Sequence, residues 1–128
     1  MKTNAITWFE ILTTDLERAA KFYETTLGVT LKRENFNGTP HAIFAVPGVA
    51  GALIFDAKRK PISGGAMVYL DAPDLDASLE RAAKAGGKVL LGKTDIGDPG
   101  SIAIIADTEG NHVGLHAEPV GGRKPRSV

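Results

Sequence analysis

The chain has 128 residues, enough for one domain with a sizeable core. Apolar residues make up 43% and charged residues 23%, the balance of an ordinary soluble globular protein. Fifteen basic and fifteen acidic residues cancel, and the basic ones are scattered, so neither nucleic acid nor an anionic membrane is an expected partner.

Cysteine is absent, which removes disulfides, thiolate nucleophiles and cysteine metal sites, and fits a reducing cytoplasm. The first ten residues carry no apolar run of signal-peptide length, and nowhere do 18 apolar residues occur together. A cytoplasmic protein is the expectation.

In chain order, alternation predicts a first strand over Ala5–Leu12, with Trp8, Glu10 and Leu12 on one face and Phe9 and Ile11 on the other. Thr14 and Glu17 have capping-box spacing. Leu16, Ala19, Ala20, Tyr23 and Leu27 then form an apolar helical stripe, closed by Gly28. Strands are predicted at Val29–Glu34, His41–Val46 and Ala50–Phe55, separated by the turn-rich Asn35–Pro40 and by Pro47-Gly48. Lys58 to Pro61 reads as an exposed linker.

A second copy follows. A strand over Ala66–Asp71 puts Met67, Tyr69 and Asp71 on one face, Val68 and Leu70 on the other. Asp74 opens a helix with the stripe Leu75, Leu79, Ala82 and Ala83, which ends at Gly86-Gly87. Strands at Lys88–Leu91, Ile102–Ala106 and His112–Ala117 complete it, with Gly110 the expected positive-φ residue of the last hairpin. Asp15 and Asp74 lie 59 residues apart, and Leu16/Leu75, Ala20/Leu79 and Gly28/Gly87 share that offset. The repeat predicts one α+β domain over 1–118 built from tandem βαβββ modules around a cupped, barrel-like mixed sheet. Module one spans about 5–56, the linker 57–64 and module two about 65–117. The tail 119–128 has nothing to bury and is expected to be disordered.

The helix-facing positions Phe9, Ile11, Val68 and Leu70 are uniformly apolar, whereas the opposite faces mix polarity. A partly wet concave surface is therefore expected there, and with it a ligand. The glycine-rich stretches Gly48–Gly51 and Gly97–Gly100 lack the GK[ST] ending of a phosphate loop.

The run Asp15-Leu16-Glu17-Arg18-Ala19-Ala20-Lys21-Phe22-Tyr23, Leu27-Gly28, Ala85-Gly86-Gly87 and Asp107-Thr108-Glu109-Gly110-Asn111, in this order, resembles the vicinal oxygen chelate superfamily. That group holds glyoxalase I, extradiol dioxygenases and the bleomycin and fosfomycin resistance proteins. Trp8-Phe9-Glu10 and Gly114-Leu115-His116 are similar to its branch described as related to lactoylglutathione lyase. The resemblance implies the glyoxalase/bleomycin resistance/dioxygenase fold, a small-molecule ligand and a homodimer.

In the metal enzymes of that superfamily, ligands come from the first and fourth strands of each module. The matching positions here are Trp8, Met67 and Gly114, and the set Gly51, Leu53 and Phe55 is expected to face the cavity from the fourth strand. None offers an oxygen or nitrogen donor suited to zinc, iron, nickel or manganese, so no metal and no other cofactor is expected. His41, His112, His116, Glu10 and Asp71 remain as an unconventional donor set, without a short motif spacing.

Glu10 and His116 are the candidate acid/base or substrate-binding groups. A carboxylate beside a large aromatic ring loses water and becomes a candidate general base, and His116 shares the strand face of Gly114. Trp8, Leu53, Phe55, Met67, Tyr69 and Gly114 are the candidate pocket wall, with the Tyr69 hydroxyl as donor. Core packing is the alternative for the large apolar members, and the positions of Trp8 and Met67 in the repeat favour the pocket. Two functional readings stand: a metal-independent enzyme using Glu10 and His116, or a non-catalytic ligand-sequestering protein of the bleomycin-resistance type.

Overall fold

The computed structural model describes residues 8–36, 38–64, 66–98 and 100–119. The chain starts with β1 (Trp8–Thr13), α1 (Leu16–Leu27), β2 (Lys32–Phe36), β3 (Thr39–Phe44) and β4 (Ala50–Phe55). The plan then repeats as β5 (Tyr69–Asp71), α2 (Leu75–Lys84), β6 (Lys88–Asp95), β7 (Ser101–Ala106) and β8 (His112–Ala117). Two four-stranded mixed sheets result, ordered β1-β4-β3-β2 and β5-β8-β7-β6. In each, the first strand pairs parallel to the last, and the remaining pairs are antiparallel. This is the α+β architecture expected from the repeat. No helix among the described residues is long and apolar enough to cross a membrane.

Each helix covers one face of its own sheet, and the two helices pack on each other. Ile11, Phe22, Tyr23 and Leu53 of the first half share one buried cluster with Leu70, Leu75, Ile105 and Leu115 of the second. The halves are therefore fused through their helix-bearing sides. The opposite sheet faces are left uncovered, with Trp8 and Tyr69 42% and 47% exposed.

Both helices begin on an aspartate. Asp15 accepts from the Arg18 amide at 3.1 Å and Asp74 from that of Ala77 at 3.1 Å. The expected Thr14–Glu17 capping box does not form. The Thr14 hydroxyl donates to Glu109 at 2.8 Å, and Glu17 pairs with Arg33 at 2.9 Å, because partners from elsewhere in the fold outcompete the local exchange. Gly28 closes α1 at φ 69, its amide donating to the Glu24 carbonyl at 2.9 Å. Glu24 also accepts from the Leu31 amide, so the exit from the helix uses residues 29–31 and β2 starts at Lys32 instead of Val29. Likewise β5 starts at Tyr69 instead of Ala66. β6, an edge strand, runs on to Asp95 with two register shifts. The expected start at Ala5 and the tail 120–128 lie outside the described residues.

A second tie joins the halves. The hairpin between β7 and β8 closes on the start of α1 through Glu109. Its carboxylate accepts from the Thr14 amide (2.9 Å), the Thr14 hydroxyl, the Asp15 amide (3.0 Å), Arg18 Nε (2.8 Å) and the Thr108 hydroxyl (2.7 Å). Beneath it, the buried Tyr23 hydroxyl donates to Asp107 at 2.7 Å, and Asn111 donates to the Leu12 carbonyl at 2.8 Å. Burial, then the charge of Asp107 and the hydrogen bond to it, hold the Tyr23 phenol well above its ordinary pKa. Burial by itself would raise the Glu109 carboxyl. The hydrogen bonds from Arg18, Thr108 and Thr14 outweigh it and hold that pKa at about 2.

Candidate functional site

The faces turned away from the helices carry most of the candidate residues. Along β1, Ile11 and Thr13 are buried, while Trp8 and Glu10 are exposed. Along β5, Leu70 is buried between exposed Tyr69 and Asp71. The alternation expected from the sequence thus holds in both leading strands.

It fails in β4. The parallel register sets Ala50 beside Trp8, Ala52 beside Glu10 and Leu53 beside Ile11. Leu53 therefore points under α1 and is fully buried in the core instead of lining a pocket. Gly51 shares that side: a side chain there would meet the Phe9 ring. Phe55, two residues beyond Leu53, lies exposed at the strand end, opposite in parity to Trp8. A register error of one residue turns a whole strand over, and a short apolar run such as Ala50–Phe55 carries no alternation to prevent it.

Glu10 is held on two sides. Its side chain is 32% exposed, one oxygen accepts from Trp8 Nε1 at 3.3 Å, and the other lies 3.5 Å from Arg59 Nη2. Arg59 reaches it from the linker, held by Asp56 at 3.0 Å. Glu10 shares a groove of about 220 Å³ with Leu12, Ile62, Val68 and His112. His116 sits one full alternation past Gly114, in register with Asp71 and Ile102. The structure thus brings His112 into the groove of Glu10 and sets His116 further along the same strand face.

Tyr69 pairs with Gly114, and a side chain at Gly114 would collide with the Tyr69 ring. The ring therefore occupies the space that a ligating side chain from β8 would need. Tyr69 and Asp71 also reach the largest cavity described, of about 600 Å³, whose apolar wall includes Phe9, Leu27, Leu31, Phe44, Val46 and Val49. Met67, 40% exposed, precedes β5. Sequence reasoning missed most of this cavity, because its walls come from the end of α1 and the turn after β3. The one local signal was Val46-Pro47-Gly48-Val49, a turn that carries two apolar residues where polar ones are usual.

The family model for the glyoxalase/bleomycin resistance protein/dioxygenase superfamily matches residues 5–115. The chain belongs to this superfamily. A relative from Didymella fabae, described as a glyoxylase-like domain-containing protein, is 34% identical over 122 residues, covering 89% of this chain and 94% of that one. Proteins of Mycobacterium tuberculosis and Mycobacterium bovis that carry the provisional name glyoxylase CFP32 are 30% identical over 115 residues. The chain spans 43% of their length. Among solved structures, glyoxalase I from Zea mays superposes with a TM-score of 0.67 at 25% identity, over 87% of this chain and 45% of that one. TnmS3, an antibiotic binding protein from a Streptomyces species, superposes with a TM-score of 0.66 at 24% identity, over 92% of this chain and 98% of that one.

The residues of this superfamily member do not fit the metal of its metal-dependent relatives. Trp8, Met67 and Gly114, the positions that the resemblance matches to metal ligands, carry no suitable donor, the Tyr69 ring covers Gly114, and Glu10 is engaged by Trp8 and Arg59. Among the described residues no group of three His, Asp or Glu side chains is placed to hold a metal ion.

Proposed function

We propose that this superfamily member binds a small organic molecule in the cavity bounded by Phe9, Phe44, Val46 and Tyr69, without using a metal. The observation that carries the reading is the cavity itself. Its volume of about 600 Å³ lies within the range of ligand sites, and a largely apolar wall is joined by two polar residues, Tyr69 and Asp71. Apolar burial supplies affinity, and the two polar groups set orientation. TnmS3 supports the reading only as far as its fold goes: the same scaffold serves an antibiotic-binding protein.

The test is calorimetric titration of a panel of partly polar aromatic compounds. Val46→Glu places a charge on an exposed rim position without touching the core and should abolish binding. Tyr69→Phe should weaken a hydrogen-bonding ligand about fivefold, the value of one net hydrogen bond. Unchanged affinity in Val46→Glu would move the ligand elsewhere.

Catalysis is the second reading. Glu10 and His112 share one groove, with His116 on the same face, so acid–base work by Glu10 and His116 on a substrate in that groove is the enzymatic alternative. Glu10→Gln and His116→Ala should then each collapse the pH–rate profile on an identified substrate while the protein stays folded. Full activity in both would end it.

A homodimer belongs to the same proposal. Trp8, Phe55, Met67 and Tyr69 are each 40% exposed or more, and a second copy would cover such a surface. Sedimentation at micromolar concentration should show a dimer; a monodisperse monomer would contradict it.

A further inference from the structure

A cleft between α1 and α2 shares no lining residue with the cavity or the groove described above. It holds about 320 Å³, and four of its lining side chains are cations: Arg18 and Lys21 from α1, Arg81 and Lys84 from α2. Among the described residues no acidic side chain lines it. In a chain of zero net charge that is a local concentration of one sign.

The four cations differ in what already satisfies them. Arg18 is neutralised by Glu109 at 2.8 Å. Arg81 is held in place by the carbonyls of Thr25 (2.9 Å) and Thr26 (3.0 Å) at the end of α1, which fix its position and leave its charge uncompensated. The two acids on α1, Glu17 and Glu24, both pair with Arg33. Among the described residues no carboxylate lies within ion-pair distance of Lys21, Arg81 or Lys84. Three positive charges without an ion-pair partner therefore line one small cleft, and one of them is immobilised.

We propose that this cleft is a second binding site, for a small phosphate monoester. Three cations without an ion-pair partner favour a ligand with two negative charges. The cleft is at the small end for ligand sites, so both charges must sit on one compact group, which a phosphate supplies and a dicarboxylate spreads apart. The lysine ammonium groups are rotatable donors suited to phosphate oxygens. The lysine stems and the edge of Phe22 leave an apolar wall for a compact ester group.

The test is calorimetric titration of the full chain with phenyl phosphate at low ionic strength, and with inorganic phosphate alongside. Lys21→Gln/Lys84→Gln removes two exposed charges from the cleft. Lys58→Gln/Lys60→Gln removes two from the linker and serves as the matched control. Saturable one-to-one binding is expected, weakened at least ~10-fold in the cleft variant and less than ~2-fold in the control. Inorganic phosphate should bind more weakly than the ester. Absence of saturable binding in the parent, equal losses in both variants, or a cleft variant that keeps its affinity would each overturn the proposal.

Discussion

Replacing Glu109 by Gln tests the tie between the two halves. Its side chain has no solvent exposure, and besides the Thr14, Thr108 and Asp15 bonds it receives two from one guanidinium, Arg18 Nε at 2.8 Å and Nη2 at 3.0 Å. The folded state holds its pKa at about 2, down from 4.5. A tenfold change in proton affinity corresponds to about 1.4 kcal/mol, so the charged form gains at most about 3.5 kcal/mol on folding. Arg18 is 51% exposed, and solvent screening brings the expectation nearer to about 2 kcal/mol. The folded pKa lies below the unfolded one. The contribution is therefore complete above about pH 5 and is lost as the pH falls from 4.5 through 2. Glu109→Gln keeps the shape, removes the charge and turns an amide donor toward groups that are themselves donors. Urea unfolding at pH 7 should show a loss of about 2 kcal/mol, or roughly 5–10 °C in the thermal midpoint. The variant should also lose less stability than the parent between pH 5 and pH 2. An unchanged unfolding midpoint at pH 7, with the same acid sensitivity as the parent, would refute the reasoning.

Leu53→Ala should cost about 2–5 kcal/mol of unfolding free energy, since the side chain is fully buried under α1; a ligand bound in the cavity should keep its affinity below the melting temperature. Gly114→Ala should displace the Tyr69 ring and cost about 1–3 kcal/mol, visible as changed Tyr69 ring resonances by NMR; an unmoved ring would contradict the β5–β8 register. Tyr23→Phe leaves Asp107 buried with one donor fewer and should cost about 1–3 kcal/mol in urea unfolding. In the parent, spectrophotometric titration should show the Tyr23 phenol still protonated where an ordinary tyrosine has ionised, so long as the fold survives.

The repeat was legible because its signals are local. Asp74 opens its helix, Gly28 supplies a positive φ, and the alternation of Trp8–Thr13 separates a buried face from an exposed one, although the first helix is capped by Asp15 instead of the expected Thr14. Strand pairing is a different matter. Ala50–Phe55 is apolar almost throughout, so its facing depends on how it pairs with β1, and Leu53 belongs to the core instead of the pocket wall for that reason. Glu109 lies 91 residues from Arg18, and no short-range pattern announces that it caps the other module. The same holds for the partners of Glu10, since Arg59 arrives from a linker whose path has no periodicity.

The sequence by itself determined the two βαβββ units and their helix-facing residues, because each depends on residue type at a local spacing. Only the tertiary structure decided that Tyr69 lies over Gly114, that the walls of the large cavity come from the end of α1 and the turn after β3, and that four cations meet between the helices. Those facts depend on strand register and on the docking of one helix against another, where residues far apart in the chain are brought within a few ångströms.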